Sequence, residues 1–83
     1  MNFVALIGIV ESMNIDKNDT ICMVKVEKPE LEANSDNWYD IISVKLNSEM
    51  FKTELESAKT GDIVGIKGRI VNSNVVAERL QVF

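Results

Sequence analysis

The sequence contains no histidine and a single cysteine, Cys22, among its 83 residues. Zinc sites built on histidine and cysteine clusters and thiol–imidazole catalysis are therefore excluded within the chain, as is an internal disulfide. Cys22 is expected to be a small buried hydrophobic residue. Because a chain of this length gains little more from apolar burial than it loses in conformational entropy, we expect self-association to help stabilise it.

Long apolar runs are also missing. The longest, residues 3–7, has five residues, far short of the ~20 that a transmembrane helix needs. The first residues show neither a basic segment nor a small-residue cleavage site, so no secretory signal is predicted. A lone cysteine fits a reducing compartment. The sequence therefore predicts a cytoplasmic protein with one domain, residues 1–83, and no membrane partner.

The chain has no basic excess either, since 9 Lys and Arg against 13 Asp and Glu give a net charge of −4. The acids are concentrated in residues 27–40, and the second half of the chain is near neutral. Nucleic-acid binders usually carry a basic surface, so this balance predicts modest affinity for phosphates. No carboxylate pair stands in an apolar or glycine-rich setting that favours catalysis, and we predict no enzyme, no cofactor and no metal site.

The apolar pattern that is present predicts five strands and one helix. Strands are expected at residues 3–10, 20–26, 38–45, 63–71 and 75–83, a polar hairpin loop at 30–37, and a helix at about 48–59. Gly65 and Gly68 within the fourth strand indicate a bend or a bulge. This order is that of an all-β, five-stranded Greek-key barrel with one short helix between strands three and four, the oligonucleotide/oligosaccharide-binding (OB) fold. Small five-stranded barrels of other topologies remain open at this point.

Four segments carry a resemblance to a known family. They are MNFVALIG at residues 1–8, TICMVKV at 20–26, KTGDIVGIKGRI at 59–70 and VVAERLQV at 75–82. In this order, and over nearly the whole chain, they resemble the bacterial single-stranded-DNA-binding proteins, and the segment with Gly68 and Arg69 is the most specific. The resemblance implies a usually homotetrameric OB-fold protein that coats single-stranded DNA in replication, repair and recombination.

The chain also departs from the family's pattern. Phe3 and Ile9 stand where basic residues are common, the second hairpin loop is acidic, and the family's acidic tail is not seen after the last strand. The sequence is thus similar to a short, tailless member or to a DNA-binding domain. Two alternatives stay open: a primosomal-type OB-fold dimer that binds DNA and replication proteins, and a protein-interaction module with weak or lost DNA binding.

Single-strand binding needs aromatic faces for bases and fixed cations for phosphates. The predicted nucleic-acid-binding residues are Trp38, Lys25, Lys45, Lys67 and Arg69. Trp38 shares a strand face with Asp40 rather than with the more apolar Tyr39 and Ile41, so it is expected to point away from the barrel interior. The alternative for Trp38 is packing under the acidic loop or in a subunit contact, and surface lysines are usually just solvated. Phe51 and Phe83 are expected in the core.

The first strand is apolar on both faces. Phe3, Ala5, Ile7 and Ile9 alternate with Val4, Leu6 and Val10, and a barrel can bury only one of the two sets. We expect the set that begins with Phe3 to form the interface of a homo-oligomer, either a dimer or a tetramer, because exposed apolar patches usually mark subunit contacts.

Overall fold

Five strands and one short helix follow one another in the predicted order. The computed structural model of the protein describes residues 2–29 and 38–83. Its elements are β1 (Val4–Asn14), β2 (Asp19–Glu27), β3 (Tyr39–Asn47), α1 (Lys52–Ser57), β4 (Ile63–Val71) and β5 (Asn74–Val82). The predicted hairpin loop at 30–37 lies outside the described residues.

The strands close into a barrel in the neighbour order β1-β2-β3-β5-β4. Every pair is antiparallel except β3 with β5, which run parallel where Val44 and Lys45 lie opposite Val75 and Val76. Five strands in this order, with a helix between β3 and β4, define the OB fold. The predicted fold class is confirmed.

The barrel is filled by alternate residues of each strand, because successive side chains of a strand point to opposite faces. Those that are almost completely buried are Val10, Val24, Val44, Leu46, Val64 and Ile66. Thr20 of β2 is equally buried although it is polar. Its hydroxyl forms a hydrogen bond with the Ser48 hydroxyl, at 2.9 Å between the oxygens, so it is not left without a partner. Cys22 is buried as predicted, and this burial raises the pKa of its thiol.

The helix is shorter than the sequence pattern predicted. Residues 48–51 form turns, because the Asn47 Oδ1 accepts hydrogen bonds from the backbone N–H groups of Glu49 and Met50, at 3.1 and 2.9 Å, before the helix begins. Phe51 packs into the barrel core, as expected, and Leu55 packs beside it. Met50, which precedes the helix, is exposed.

Two glycines set the shape of the barrel. β1 pairs with β4 over residues 4–9 and with β2 from Ile9 onward, so it passes from one neighbour to the other near Gly8. A Cβ on Gly8 would collide with the backbone carbonyl of Lys25, and the close approach therefore requires glycine. Gly68 marks the predicted bulge, where the register between β4 and β5 shifts by one residue.

Phe83 does not fill the core, contrary to the sequence prediction. Its side chain is 65% exposed and its ring lies over Gly65, on the outer surface of the barrel. The inward positions near the end of β5 are occupied by Leu80 and Val82, which pack against the core. Strand alternation then places Phe83 outside.

Candidate nucleic-acid interface

The outer surface of the β2–β3 hairpin brings cations and an aromatic ring together. Its central outward residues, here called the hairpin face, are Ile21, Met23, Lys25, Tyr39, Ile41, Ser43 and Lys45. Two further outward residues, the acids Asp19 and Glu27, border this face at the two ends of β2. Lys25 lies opposite Ile41, and Ile21 lies opposite Lys45. In the OB fold, this face and the two adjoining loops are where oligonucleotides bind.

Lys25 and Tyr39 form the aromatic end of the hairpin face. The Lys25 Nζ lies 5.7 Å from the centroid of the Tyr39 ring, within the range of a cation–π contact. The Tyr39 side chain is 42% exposed. The ring and the ammonium thus present a flat apolar surface and a positive charge side by side, which are the two groups that a nucleotide needs.

Trp38 lies immediately before β3, at the end of the hairpin. Since Val44 and Leu46 are buried, the even-numbered residues of β3 belong to the inner side of the strand. The prediction that Asp40 lies on the outward face of β3, with Tyr39 turned inward, was therefore wrong. This end of the hairpin extends beyond the residues at which β2 pairs with β1 and β3 pairs with β5. The Trp38 side chain is therefore 50% exposed.

The two lysines of the hairpin face are each paired with an acid. The Lys25 Nζ lies 3.1 Å from a carboxylate oxygen of Glu11, and the Lys45 Nζ lies 3.6 Å from one of Asp19. All four side chains are partly exposed, between 38% and 49%. The positive charge of the face is therefore largely balanced by acids at its margin.

Lys67 and Arg69 lie on another part of the barrel, the outer surface of β4. Lys67 is opposite Ala5 of β1 and Arg79 of β5, and Arg69 lies 4.0 Å from a carboxylate oxygen of Glu78. The structure thus brings Lys25 and Lys45 together on the hairpin face, puts Trp38 at its end, and separates Lys67 and Arg69 from them. Whether each of these five residues contacts DNA stays a prediction.

Tyr39 and Ile41 are members of the hairpin face that the sequence analysis assigned to the inner side. The alternation of Ile42, Val44 and Leu46 could have predicted the outward direction of Tyr39 and Ile41. These three apolar residues at even-numbered positions indicate an inward even-numbered side more strongly than the polar Asp40 argues against it. The predicted strand ended at Lys45 and so left out Leu46, which is fully buried.

The predicted interface row lies on the outer surface of β1. Phe3 and Ile7 are 62% and 65% exposed, whereas Ile9 is half-buried. Beside this row is an open cleft of about 950 Å³, whose lining includes Ala5, Ile7, Met50, Lys67, Arg79 and Phe83. The row and Lys67 therefore share one surface, which borders the hairpin face where Ile9 lies opposite Lys25.

A second cleft, of about 580 Å³, continues the hairpin face toward the ends of the strands. Its lining includes Ile15 from the β1–β2 loop, Lys45 of β3 and Asn74 at the start of β5. These are the two loop regions that adjoin the binding face in OB folds. The cleft therefore extends the hairpin face between these two loop regions.

Among residues 2–29 and 38–83, no group of three or more acidic, histidine or cysteine side chains is placed to hold a metal ion. No helix of this part of the chain is long and apolar enough to cross a membrane.

Solved structures show which proteins share this barrel. The mitochondrial single-stranded DNA binding protein Rim1 from S. cerevisiae superposes with a TM-score of 0.76 at 12% identity, over 98% of this chain and 92% of that one. The dimeric N-terminal domain of PriB from Thermoanaerobacter tencongensis gives 0.72 at 19% identity, over 99% and 96%. A small single-stranded DNA-binding protein from Streptomyces coelicolor gives 0.61 at 14% identity, over 98% and 93%.

By sequence, the chain matches no family model and no curated protein. At identities of 12–19%, the structural likeness establishes the fold alone. The chain is an OB-fold barrel of the kind found in single-stranded-DNA-binding proteins.

Proposed function

We propose that this protein binds single-stranded DNA without sequence preference, by stacking bases and contacting phosphates on the hairpin face. The observation that carries the proposal is the Lys25 ammonium beside the half-exposed Tyr39 ring, on the OB-fold face where Lys45 also points outward. The proposed role is binding rather than catalysis, in the cytoplasm, in replication, repair or recombination. The structural neighbours named for DNA binding support it.

The arrangement of the face explains how a strand would be held. Tyr39 offers a ring to one base, and stacking on an aromatic ring contributes ~1–3 kcal/mol per base whatever its identity. Ile41 supplies apolar surface next to it, and Lys25 and Lys45 meet phosphates. Tyr39 and Lys45 are six positions apart on one strand, which is ~20 Å at the usual rise of a strand. This length accommodates several nucleotides.

Trp38 extends the proposed path beyond the hairpin face. Its carbonyl accepts a hydrogen bond from the backbone N–H of Lys28 at 2.8 Å, which fixes the backbone at the end of the hairpin. Half of its side chain is exposed there. A strand that passes over the end of the hairpin meets this indole after Tyr39, and we propose Trp38 as a second stacking residue. Lys67 and Arg69 would be reached only by a strand that continues around the barrel.

We further propose that the chain forms a homo-oligomer, a dimer or a tetramer, through the outer row of β1. Phe3 and Ile7 in this row are exposed. Residues 4–8 of β1 also pair with β4 along one edge only, and no strand of the described residues pairs with the other edge. An apolar row beside an open strand edge is a surface that a second chain can cover.

The proposal is tested by titrating labelled oligo(dT) with the protein and following fluorescence anisotropy at several salt concentrations. We expect binding at low salt that weakens as salt rises, together with a change in the emission of Trp38, the one tryptophan of the chain. If no oligonucleotide binds at low salt, the DNA-binding function is wrong and a protein-interaction module becomes the better account of this barrel.

A further inference from the structure

We infer that Glu11 and Asp19 determine the specificity of the hairpin face, because they compete with phosphate for its two lysines. With both lysines already paired, a ligand that offers only phosphates gains little. A ligand that also offers bases for stacking gains much more. The inference rests on the proposed function and assigns these carboxylates the task of favouring single strands over duplex DNA.

Glu11 is brought to Lys25 by an irregularity in β1. The register between β1 and β2 shifts between Val10 and Ser12, which leaves Glu11 as the extra residue of a bulge. Bulges change the direction of side chains locally. Here the bulge lets Glu11 and Ser12 both be exposed after the buried Val10, and the Glu11 carboxylate lies 3.1 Å from the Lys25 Nζ. Lys25 is thus flanked by a carboxylate as well as by the Tyr39 ring.

Asp19 reaches Lys45 diagonally across the hairpin. Asp19 begins β2 opposite Asn47, and Lys45 is opposite Ile21, so the two charged residues are diagonal neighbours on the outer surface. Their charged atoms are 3.6 Å apart. Both residues also line the second cleft, where an extended ligand would leave the face. A phosphate at Lys45 would therefore lie close to the Asp19 carboxylate.

These ion pairs reduce the electrostatic free energy that a phosphate gains by binding either lysine. A phosphate that binds an unpaired lysine releases condensed counterions, and this release drives most nonspecific binding to duplex DNA. A phosphate that binds Lys25 or Lys45 also releases counterions from the DNA, but it must in addition displace a carboxylate of the protein and then remain near it. The electrostatic gain is small, and base stacking on Tyr39 must supply the difference. The stacked bases of a duplex are not available to Tyr39, whereas those of a single strand are.

The test compares a single-stranded oligonucleotide with a duplex of the same length. Affinities are measured by anisotropy at low salt for wild type, Glu11→Gln, Asp19→Asn and the double variant. Glu56→Gln, at an exposed helix residue, is the control for the single variants, and Glu49→Gln/Glu56→Gln, at two exposed residues, is the control of equal charge for the double variant. Because each substitution frees one lysine for phosphate, we expect the double variant to bind the duplex about tenfold more tightly and the single strand about threefold more tightly than Glu49→Gln/Glu56→Gln.

The result that overturns the inference is an equal gain for both ligands, or no gain beyond that of the control of equal charge. Thermal unfolding of each variant shows that the barrel is intact. Failure of the proposed function gives a different result, since wild-type protein would then not bind oligo(dT) at all.

Discussion

The Lys25 ammonium and the Tyr39 ring are held against each other, 5.7 Å from nitrogen to ring centroid, across the outer surface of the β2–β3 hairpin. Lys25 lies opposite Ile41 and Tyr39 lies opposite Glu27, so the contact is diagonal between adjacent strands. A cation in this position limits the motion of both side chains before any ligand arrives. The pair is the part of the hairpin face on which the proposed DNA binding most depends.

Replacing Tyr39 by alanine should remove one base-stacking surface. We expect Tyr39→Ala to weaken oligo(dT) binding by ~1–3 kcal/mol, with the loss persisting at high salt because stacking is not an ionic interaction. Tyr39→Phe keeps the ring and should bind like wild type. Anisotropy titrations of the two variants check this, and an equal loss in both would mean that the hydroxyl matters rather than the stacking surface.

Replacing Lys45 by alanine should affect binding differently. Each phosphate neutralised on a single strand contributes about 0.7 to the slope of log affinity against log salt. Loss of Lys45 should flatten that slope, by less than this value because Asp19 already balances part of the charge. Lys52→Ala, on the exposed side of α1, is the control. A slope that stays unchanged in Lys45→Ala, or that flattens equally in Lys52→Ala, would place the phosphates elsewhere.

A charge in the exposed row of β1 should dissociate the proposed oligomer. Ile7→Glu would bury a carboxylate in the subunit contact, where an unpaired charge is strongly unfavourable. We expect the wild type to sediment as a dimer or tetramer at tens of micromolar and Ile7→Glu to sediment as a monomer. Ile15→Glu makes the same change at an exposed residue of the β1–β2 loop and should keep the oligomer. A monomeric wild type would contradict the proposed interface.

Gly8 and Gly65 should differ in how well they tolerate substitution by alanine. In Gly8→Ala the new Cβ would press on the Lys25 carbonyl, which cannot move without shifting β2, and we expect a loss of ~1–3 kcal/mol in the free energy of unfolding. In Gly65→Ala it would meet only the exposed Phe83 ring, at 3.2 Å, and the ring can turn away. Urea denaturation measures both, and equal losses would contradict this explanation of Gly8.

Much of this architecture could be predicted from local patterns. The order of the strands follows from short alternating segments separated by turns, and the outward row beginning at Phe3 follows from alternation in β1. Lys25 likewise points outward as strand alternation in β2 requires, since Cys22 and Val24 on the other side of the strand are buried. These features depend on neighbours along the chain, which is why the sequence contains them.

The composition of the hairpin face could not be predicted in the same way. Polar Asp40 lies on the inner side of β3 because the hairpin projects beyond the closed barrel, and this depends on where β5 pairs with β3. The proximity of Glu11 to Lys25 depends on a bulge in β1 that the residue types there do not predict. The separation of Lys67 and Arg69 from Lys25 follows from barrel closure, which places β1 between β4 and β2.

The most direct test of the account is to map oligo(dT) binding by NMR, using amide chemical shifts of isotopically labelled protein. We predict that the largest shift changes fall on residues 21–25 and 39–45, the two strands of the hairpin face, with smaller changes at Trp38 and in the β1–β2 loop. Changes concentrated instead on α1 and the outer surface of β5, with the hairpin residues unmoved, would contradict the assignment of this face as the DNA-binding surface.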